Sequence, residues 1–252
     1  MGSSDDEESA SSLTDAHRFF LQGIMAGGTL SEKDVEELFS AAKETYKYRQ
    51  TTPLTDFVET INKALSFLYM QIRNIASELD GEKFYGLINT RADLESQKGT
   101  QLTLTEIGMF RKIMNAVIEA SDPAKSKERD GIRVSEGSIS VSAALEHGGN
   151  AHSLNERTLE RLVQERWLVY TTPAHKRITL GVRSLMELKQ WLEENYEDHV
   201  SNCLTCHEPI FMGEICQNNR CEVKLHHHCS KRWFTGNRER VCPSCKNVWK
   251  MR

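Results

Sequence analysis

The stretch CLTCHEPIFMGEICQNNRCEVKLHHHCSKRWFTGNRERVCPSC, residues 203–245, holds all seven cysteines of a 252-residue chain and a run of three histidines. Its spacing reads C-x2-C, nine residues, C-x4-C, four residues, H-x2-C, twelve residues, C-x2-C, with His226 as the histidine of the third pair. The pattern supplies eight soft or borderline ligands in four close pairs, enough to fill two tetrahedra. A C-x2-C knuckle lets two thiolates from one tight turn reach a single ion at the Zn–S distance of about 2.3 Å, and His226 with Cys229 makes the equivalent mixed pair.

A disulfide framework is the competing reading of the same cysteines. An odd count of seven, the absence of an apolar leader core at the start, and 202 preceding residues without cysteine all argue against an oxidising compartment. A segment of about fifty residues also buries too little apolar surface to hold itself together. Two structural zinc ions are expected to supply that stability, at an apparent ~10–16 kcal/mol per site in peptides.

Paired ligands in this order commonly bind as a cross-brace. Cys203, Cys206, His226 and Cys229 then share one ion, and Cys216, Cys221, Cys242 and Cys245 the other. His226 is preferred because it alone leaves two residues before Cys229, and His227 and His228 stand as alternatives. With every ligand a protein atom, the zinc is structural and activates no water.

Composition bounds the rest of the chain. It is 27% charged and 38% hydrophobic, with a net charge of −4, as in an ordinary soluble protein of two or three small domains. No apolar run approaches the ~20 residues of a membrane span, and Asp6 sits where a myristoylation signal wants Ser or Thr. An intracellular, unanchored protein is expected. Residues 201–252 carry nine Lys/Arg against four Asp/Glu. Thiolates and zinc together would lower that +5 to about +2. Electrostatics therefore do not argue for nucleic-acid binding.

Residues 1–12 read as a disordered acidic tail. Beyond it, Phe19, Phe20 and Ile24 share a helix face that ends at Gly27-Gly28. Ser31 then caps a second helix with Asp34 at its third position, followed by Val35, Leu38, Phe39 and Ala42. A third helix runs from about Leu54 with Phe57, Val58, Ile61, Leu65 and Leu68 as its apolar positions. Gln71–Leu79 and Lys83–Asn89 read as a hairpin across a type I′ turn at Asp80-Gly81. Helix, helix, helix, hairpin is the order of a winged helix, and it recurs. Leu104–Ala120 is a long amphipathic helix, Ala124–Asp130 a polar connection and Val141–Leu145 a short helix. Ser153 with Glu156 caps the next helix, Leu168–Tyr170 and Lys176–Leu180 form a second hairpin, and Val182–Tyr196 is a last helix.

The expected fold class is mainly α with small β-hairpins. Tandem winged-helix domains at 13–90 and 103–198, joined by a linker at 91–102, precede a two-zinc module at 199–252. The candidate recognition helix Ser153–Arg166 nearly balances Glu156, Glu160 and Glu165 against Arg157, Arg161 and Arg166. Protein docking is thus expected over DNA reading, with any DNA contact weak or indirect. The 13–198 region is expected to keep its partner when the tail is deleted at Asn202.

Four Cys, one His, three Cys is the ligand order of PHD fingers and of variant RING fingers. PHD fingers carry a Trp two residues before the seventh ligand, where this chain has Arg240. The module resembles the RING family instead: Pro243 follows the seventh ligand, Trp233 lies four residues after Cys229, and Lys246 follows the last cysteine. That resemblance implies docking of a ubiquitin-conjugating enzyme on Leu204, Thr205, Trp233 and Pro243, with Lys246 bracing the conjugated ubiquitin. Thr205 departs from the aliphatic residue common before the second ligand, which weakens docking.

The order of modules, and the run Cys216-Gln217-Asn218-Asn219-Arg220-Cys221-Glu222-Val223-Lys224-Leu225-His226 read with the Cys203 and Cys242 knuckles, make nearly the whole chain similar to the family of first non-SMC elements of five/six SMC complexes. The resemblance implies a nuclear, chromatin-associated subunit of a genome-maintenance and DNA-repair machine. It implies winged helices that bind a MAGE-family partner, and RING-type ubiquitin ligase activity without a covalent intermediate, strengthened by that partner. The alternative is a non-catalytic zinc module that completes an assembly interface.

Overall fold

The computed structural model describes residues 13–49, 51–91, 102–122, 126–129, 132–174, 176–197, 199–236 and 239–250. The expected acidic tail and nearly all of the expected linker lie outside the described residues. The chain divides into two units: Met1–Asn74 with Lys83–Ser96, and Ile75–Glu82 with Gln97–Arg252.

The described elements up to Asn89 are α1 (Asp15–Gly27), β1 (Thr29–Ser31), α2 (Glu32–Thr45), α3 (Leu54–Leu65), a 3-10 turn at Ser66–Leu68, β2 (Met70–Ala76), whose last two residues belong to the second unit, and β3 (Lys83–Asn89). Thr14 caps α1 in a box closed by His17, and Ser31 caps α2 in the expected box with Asp34. Gly28, at φ +67°, ends α1. Phe20, Ile24, Val35, Ala42, Phe57, Ile61 and Ile72 form one buried cluster. β1, too short to show a period, joins the hairpin as a third strand in the order β1-β3-β2, with Leu30 opposite Tyr85.

Two local expectations are corrected here. Leu68 does not continue the third helix: α3 ends at Leu65, a 3-10 turn follows at Ser66–Leu68, and Leu68 stands exposed. The hairpin does not close through a type I′ turn either. Asp80 keeps a negative φ and Gly81 alone is left-handed, so the loop spans Ser77 to Glu82, closed by Ser77 N–H to the Glu82 carbonyl at 2.8 Å. The Asp80 carboxylate accepts the Glu82 N–H at 3.0 Å, an Asx-type turn that a two-residue loop cannot form.

The second unit contains α4 (Leu104–Ala120), β4 (Lys127–Arg129), β5 (Ile132–Ser135), β6 (Ile139–Ser140), α5 (Val141–Glu146), α6 (His152–Gln164), β7 (Leu168–Tyr170), β8 (Arg177–Leu180), α7 (Val182–Glu187) and α8 (Lys189–Asn195). β9 (Ser201–Asn202), β10 (Pro209–Ile210), β11 (Gly213–Ile215), β12 (Lys224–Leu225) and α9 (His227–Gly236) complete it. α4 matches the periodicity and buries Phe110, Ile113, Met114, Val117 and Ile118. β7 and β8 form the expected hairpin, extended by β6.

Three further expectations change. α6 begins at His152 after Ala151, with no side-chain cap from Ser153. The entry is fixed by Asn155 instead, which donates to the carbonyls of Gly149 at 2.8 Å and Leu145 at 3.1 Å. The single helix over 182–196 is interrupted at Leu188 into α7 and α8. Its first half is pinned where Ser184 Oγ donates to the Trp167 carbonyl at 2.6 Å. The polar connection contains β4, which pairs with β5 across Asp130-Gly131, two residues outside the described set.

β5 also pairs with β11, giving a four-stranded sheet in the order β12-β11-β5-β4. Gly137, just beyond β5, lies so close to Phe211 that a Cβ there would meet the Phe211 carbonyl oxygen at 2.1 Å. This sheet positions the cysteine-rich segment against the strands that follow α4.

Candidate metal centre

The two C-x2-C knuckles fold alike. His207 N–H donates to the Cys203 carbonyl at 2.9 Å, and Lys246 N–H to the Cys242 carbonyl at 3.0 Å. The residue after each second cysteine is left-handed, His207 at φ +59° and Lys246 at φ +62°. That reversal turns both sulfurs of a knuckle to one side. Cys216 and Cys221 sit on a wider loop in which Asn218 accepts the Arg220 N–H on its side chain and the Cys221 N–H on its carbonyl. His226 follows β12 directly, and Cys229 lies in the first turn of α9.

These elements bring Cys203, Cys206, His226 and Cys229 together, and separately Cys216, Cys221, Cys242 and Cys245, with the ligand atoms of each set within 4.8 Å of one another. The sets are those of the cross-brace. His226 presents Nδ1 to the sulfurs, 3.3 Å from Cys206 and 4.0 Å from Cys229. His227 instead faces Glu214, with Nδ1 3.4 Å from the carboxylate. His228 stacks on the His226 ring at 5.1 Å.

The donor chemistry fits zinc. Cys216 and Cys245 sulfurs are 3.4 Å apart and those of Cys221 and Cys242 3.8 Å. Those separations are far beyond the ~2.05 Å of a disulfide, and close to the edge of about 3.8 Å of a tetrahedron with 2.3 Å Zn–S bonds. All seven cysteines are free thiols. In the first set hydrogen bonds from Cys206 and Cys229 hold the Cys203 thiol far below its ordinary range, while the same cluster pushes Cys229 up. In the second, the Asn247 backbone N–H leads in pulling Cys245 down to about 6, while burial raises Cys216 and Cys221. Crowded thiols cannot all ionise unless a cation compensates them, and two divalent ions meet that need. The two Cys/His clusters can hold two zinc ions.

Two buried acids escaped the sequence reading. Glu214 accepts Ser230 Oγ at 2.6 Å and Trp249 Nε1 at 2.8 Å, binding the start of α9 and the C-terminal segment to β11. Burial raises its pKa, but hydrogen bonds from His227, Ser230 and Trp249 outweigh that and hold it low. Glu78, from the Ser77–Glu82 loop, accepts Phe211 N–H at 2.8 Å and lies 3.3 Å from His226 Nε2. Neither has a local signature, because their partners lie far away in sequence.

Of the residues expected to dock a conjugating enzyme, Leu204 and Trp233 stand out from the module at 41% and 38% exposure, whereas Ile210, Phe211, Leu225, Phe234 and Trp249 are buried. Trp233 lies on α9. Thr205 and Pro243 are half-buried, and Lys246 is exposed with its ammonium on the Pro243 carbonyl at 3.0 Å.

The comparisons with known proteins agree with this architecture. A family model described as the Nse1 non-SMC component of the SMC5-6 complex matches residues 17–188, and a RING-like domain model matches 203–245. The curated "Non-structural maintenance of chromosomes element 1 homolog" of Homo sapiens is 29% identical over 238 residues, 94% of this chain and 85% of its own length. Its Pongo abelii counterpart is 30% identical over the same shares. The Schizosaccharomyces pombe "Non-structural maintenance of chromosomes element 1" is 25% identical over 249 residues, 97% of this chain and 96% of its own. A solved chain described as "Nse1-Nse3-Nse4 complex" has the same fold, at TM-score 0.78 and 24% identity, covering 96% of this chain and 99% of that one. With more than half of its length matched by one family model and a RING-like module after it, the chain belongs to the Nse1 family, the non-SMC component of the SMC5-6 complex.

Proposed function

We propose that the chain is a RING-type ubiquitin ligase subunit acting in DNA repair and genome maintenance. In this reading it lies at chromatin in the nucleus and holds a MAGE-family subunit through winged-helix modules at 13–90 and 103–198. The solved relative described as a complex with Nse3 and Nse4 supports the choice of partners. The eight residues of the two clusters are the zinc ligands, and the metal shapes the surface without touching the reaction. Catalysis comes from positioning a charged conjugating enzyme and its thioester-linked ubiquitin in a reactive pose.

The observation that carries the reading is that Leu204 and Trp233 stay exposed, as does Val248, while Ile210, Phe211, Leu225, Phe234 and Trp249 are buried. Thr205 and the sheet shared by β5 and β11 favour the second reading, a zinc module that only completes an assembly interface. A ubiquitin-discharge assay on the purified complex separates the two. Stimulated discharge that falls at least tenfold in Trp233→Ala, with both zinc ions retained, supports the ligase. No stimulation by any conjugating enzyme of a broad panel, with the MAGE partner present, leaves the structural reading.

A further inference from the structure

We propose that Glu78 is the outer partner of the zinc ligand His226, so that retention of one zinc ion depends on a loop more than a hundred residues upstream of the cysteine-rich segment. His226 turns Nδ1 to the sulfurs, which leaves Nε2 to face the protein. There it meets Glu78 Oε1 at 3.3 Å and the Pro209 carbonyl at 3.2 Å. A metal-bound imidazole characteristically donates its second N–H to a carboxylate or carbonyl, which fixes the ring and raises its basicity.

Glu78 is built for that place. It is 4% exposed, and the same Oε1 accepts Phe211 N–H at 2.8 Å and Met212 N–H at 3.3 Å, so the carboxylate cannot swing away. Its Oε2 finds no hydrogen-bond partner among the described residues. A buried carboxylate with one oxygen unsatisfied is costly to keep. It is accounted for if Oε1 has work that a neutral side chain does less well. The loop also grips the ligand from its face: Gly81, at φ +79°, packs where a Cβ would come within 2.8 Å of His228 Cβ, and His228 stacks on His226.

The inference rests on the zinc centre and not on the ligase reading, and its test needs no ubiquitin. Zinc release to a chromogenic chelator is followed in the full chain for the parent, Glu78→Ala, Glu78→Gln and the exposed control Glu82→Ala. One of the two ions should leave about ten- to a hundredfold faster in Glu78→Ala. Glu78→Gln, which keeps a carbonyl acceptor, should show a smaller effect, and Glu82→Ala none. In cobalt-substituted protein the three-sulfur, one-nitrogen spectrum should be lost first while the four-sulfur spectrum persists. Unchanged release, equal acceleration of both ions, or earlier loss of the four-sulfur spectrum would overturn the proposal. Should Glu78→Ala not fold, nitrogen NMR of the zinc-loaded parent and Glu78→Gln proteins decides. Metal on Nδ1 with an Nε2 proton of His226 that moves in Glu78→Gln supports it, and metal on Nε2, or an Nε2 proton that Glu78→Gln leaves unchanged, overturns it.

Discussion

Arg133 on β5 donates from its guanidinium to the carbonyl oxygen of Cys216 at 3.0 Å, across more than eighty residues of sequence. A second bond reaches the Asn218 carbonyl at 3.4 Å, and Gln217 Oε1 accepts the Arg133 N–H at 3.1 Å. The loop of the second metal cluster is therefore held from outside the cysteine-rich segment. Arg133→Met keeps the apolar stem and removes the donors, and charge-assisted bonds of this kind are worth about 1.5–3 kcal/mol. The expected outcome is a melting temperature lower by roughly 3–10 °C, with faster zinc release from the four-cysteine cluster only. Equal loss from both clusters would mean that Arg133 supports the module generally.

The three histidines should separate cleanly by metal content. His226 alone faces the sulfurs, while His227 is engaged with Glu214 and His228 stacks behind the ligand ring. Native mass spectrometry should find one zinc ion in His226→Ala and two in His227→Ala and in His228→Ala. One ion in either of the latter would reassign the ligand.

Acid should weaken the first unit through His17. This residue is buried against Phe57, stacked at 4.1 Å, and its Nδ1 accepts the Thr14 N–H at 3.2 Å to close the α1 capping box. Burial holds its pKa below the ordinary 6.5. The unfolded chain thus binds a proton that the folded chain resists. Stability from this group is whole above pH 6.5 and declines as pH falls below it, by at most about 1.4 kcal/mol for one pH unit. Hydrogen exchange of α1 amides should accelerate between pH 7 and 5.5 beyond the intrinsic rate change, and His17→Gln should remove that excess. An equal excess in both proteins would assign the acid sensitivity elsewhere.

The Cys/His clusters were legible because ligand spacing is local: the two members of each pair lie close in sequence, and only His226 has the right offset from Cys229. α4 was legible for a similar reason, since seventeen residues carry nearly five helical turns of period. Elements of two or three residues, such as β1 and β6, exist only through their partners and show no period of their own. Glu78, Glu214 and Arg133 could not be found at all from spacing. Their roles come from packing between segments that the chain places far apart.

The sheet shared by β5 and β11 limits how modular the cysteine-rich segment is, and it bears on the expectation that 13–198 keeps its partner when the chain is cut at Asn202. Ser135 pairs with Gly213 and Val134 with Glu214. Lys224 buries its ammonium on the Ser121 carbonyl at 2.9 Å, and Ser135 Oγ lies 2.7 Å from the Phe211 carbonyl. Cutting at Asn202 would turn β5 into an open edge, expose the buried Val134, and leave the Ser121 carbonyl without its Lys224 donor. Zinc should stabilise this edge, because it orders the loops that carry β11 and β12. Chelation of zinc from the full chain should therefore speed amide exchange along β5 and β11 together, while α1 to α3 keep their protection. Fast exchange confined to residues after 202 would instead show that β5 holds its shape alone, and that the cut is harmless.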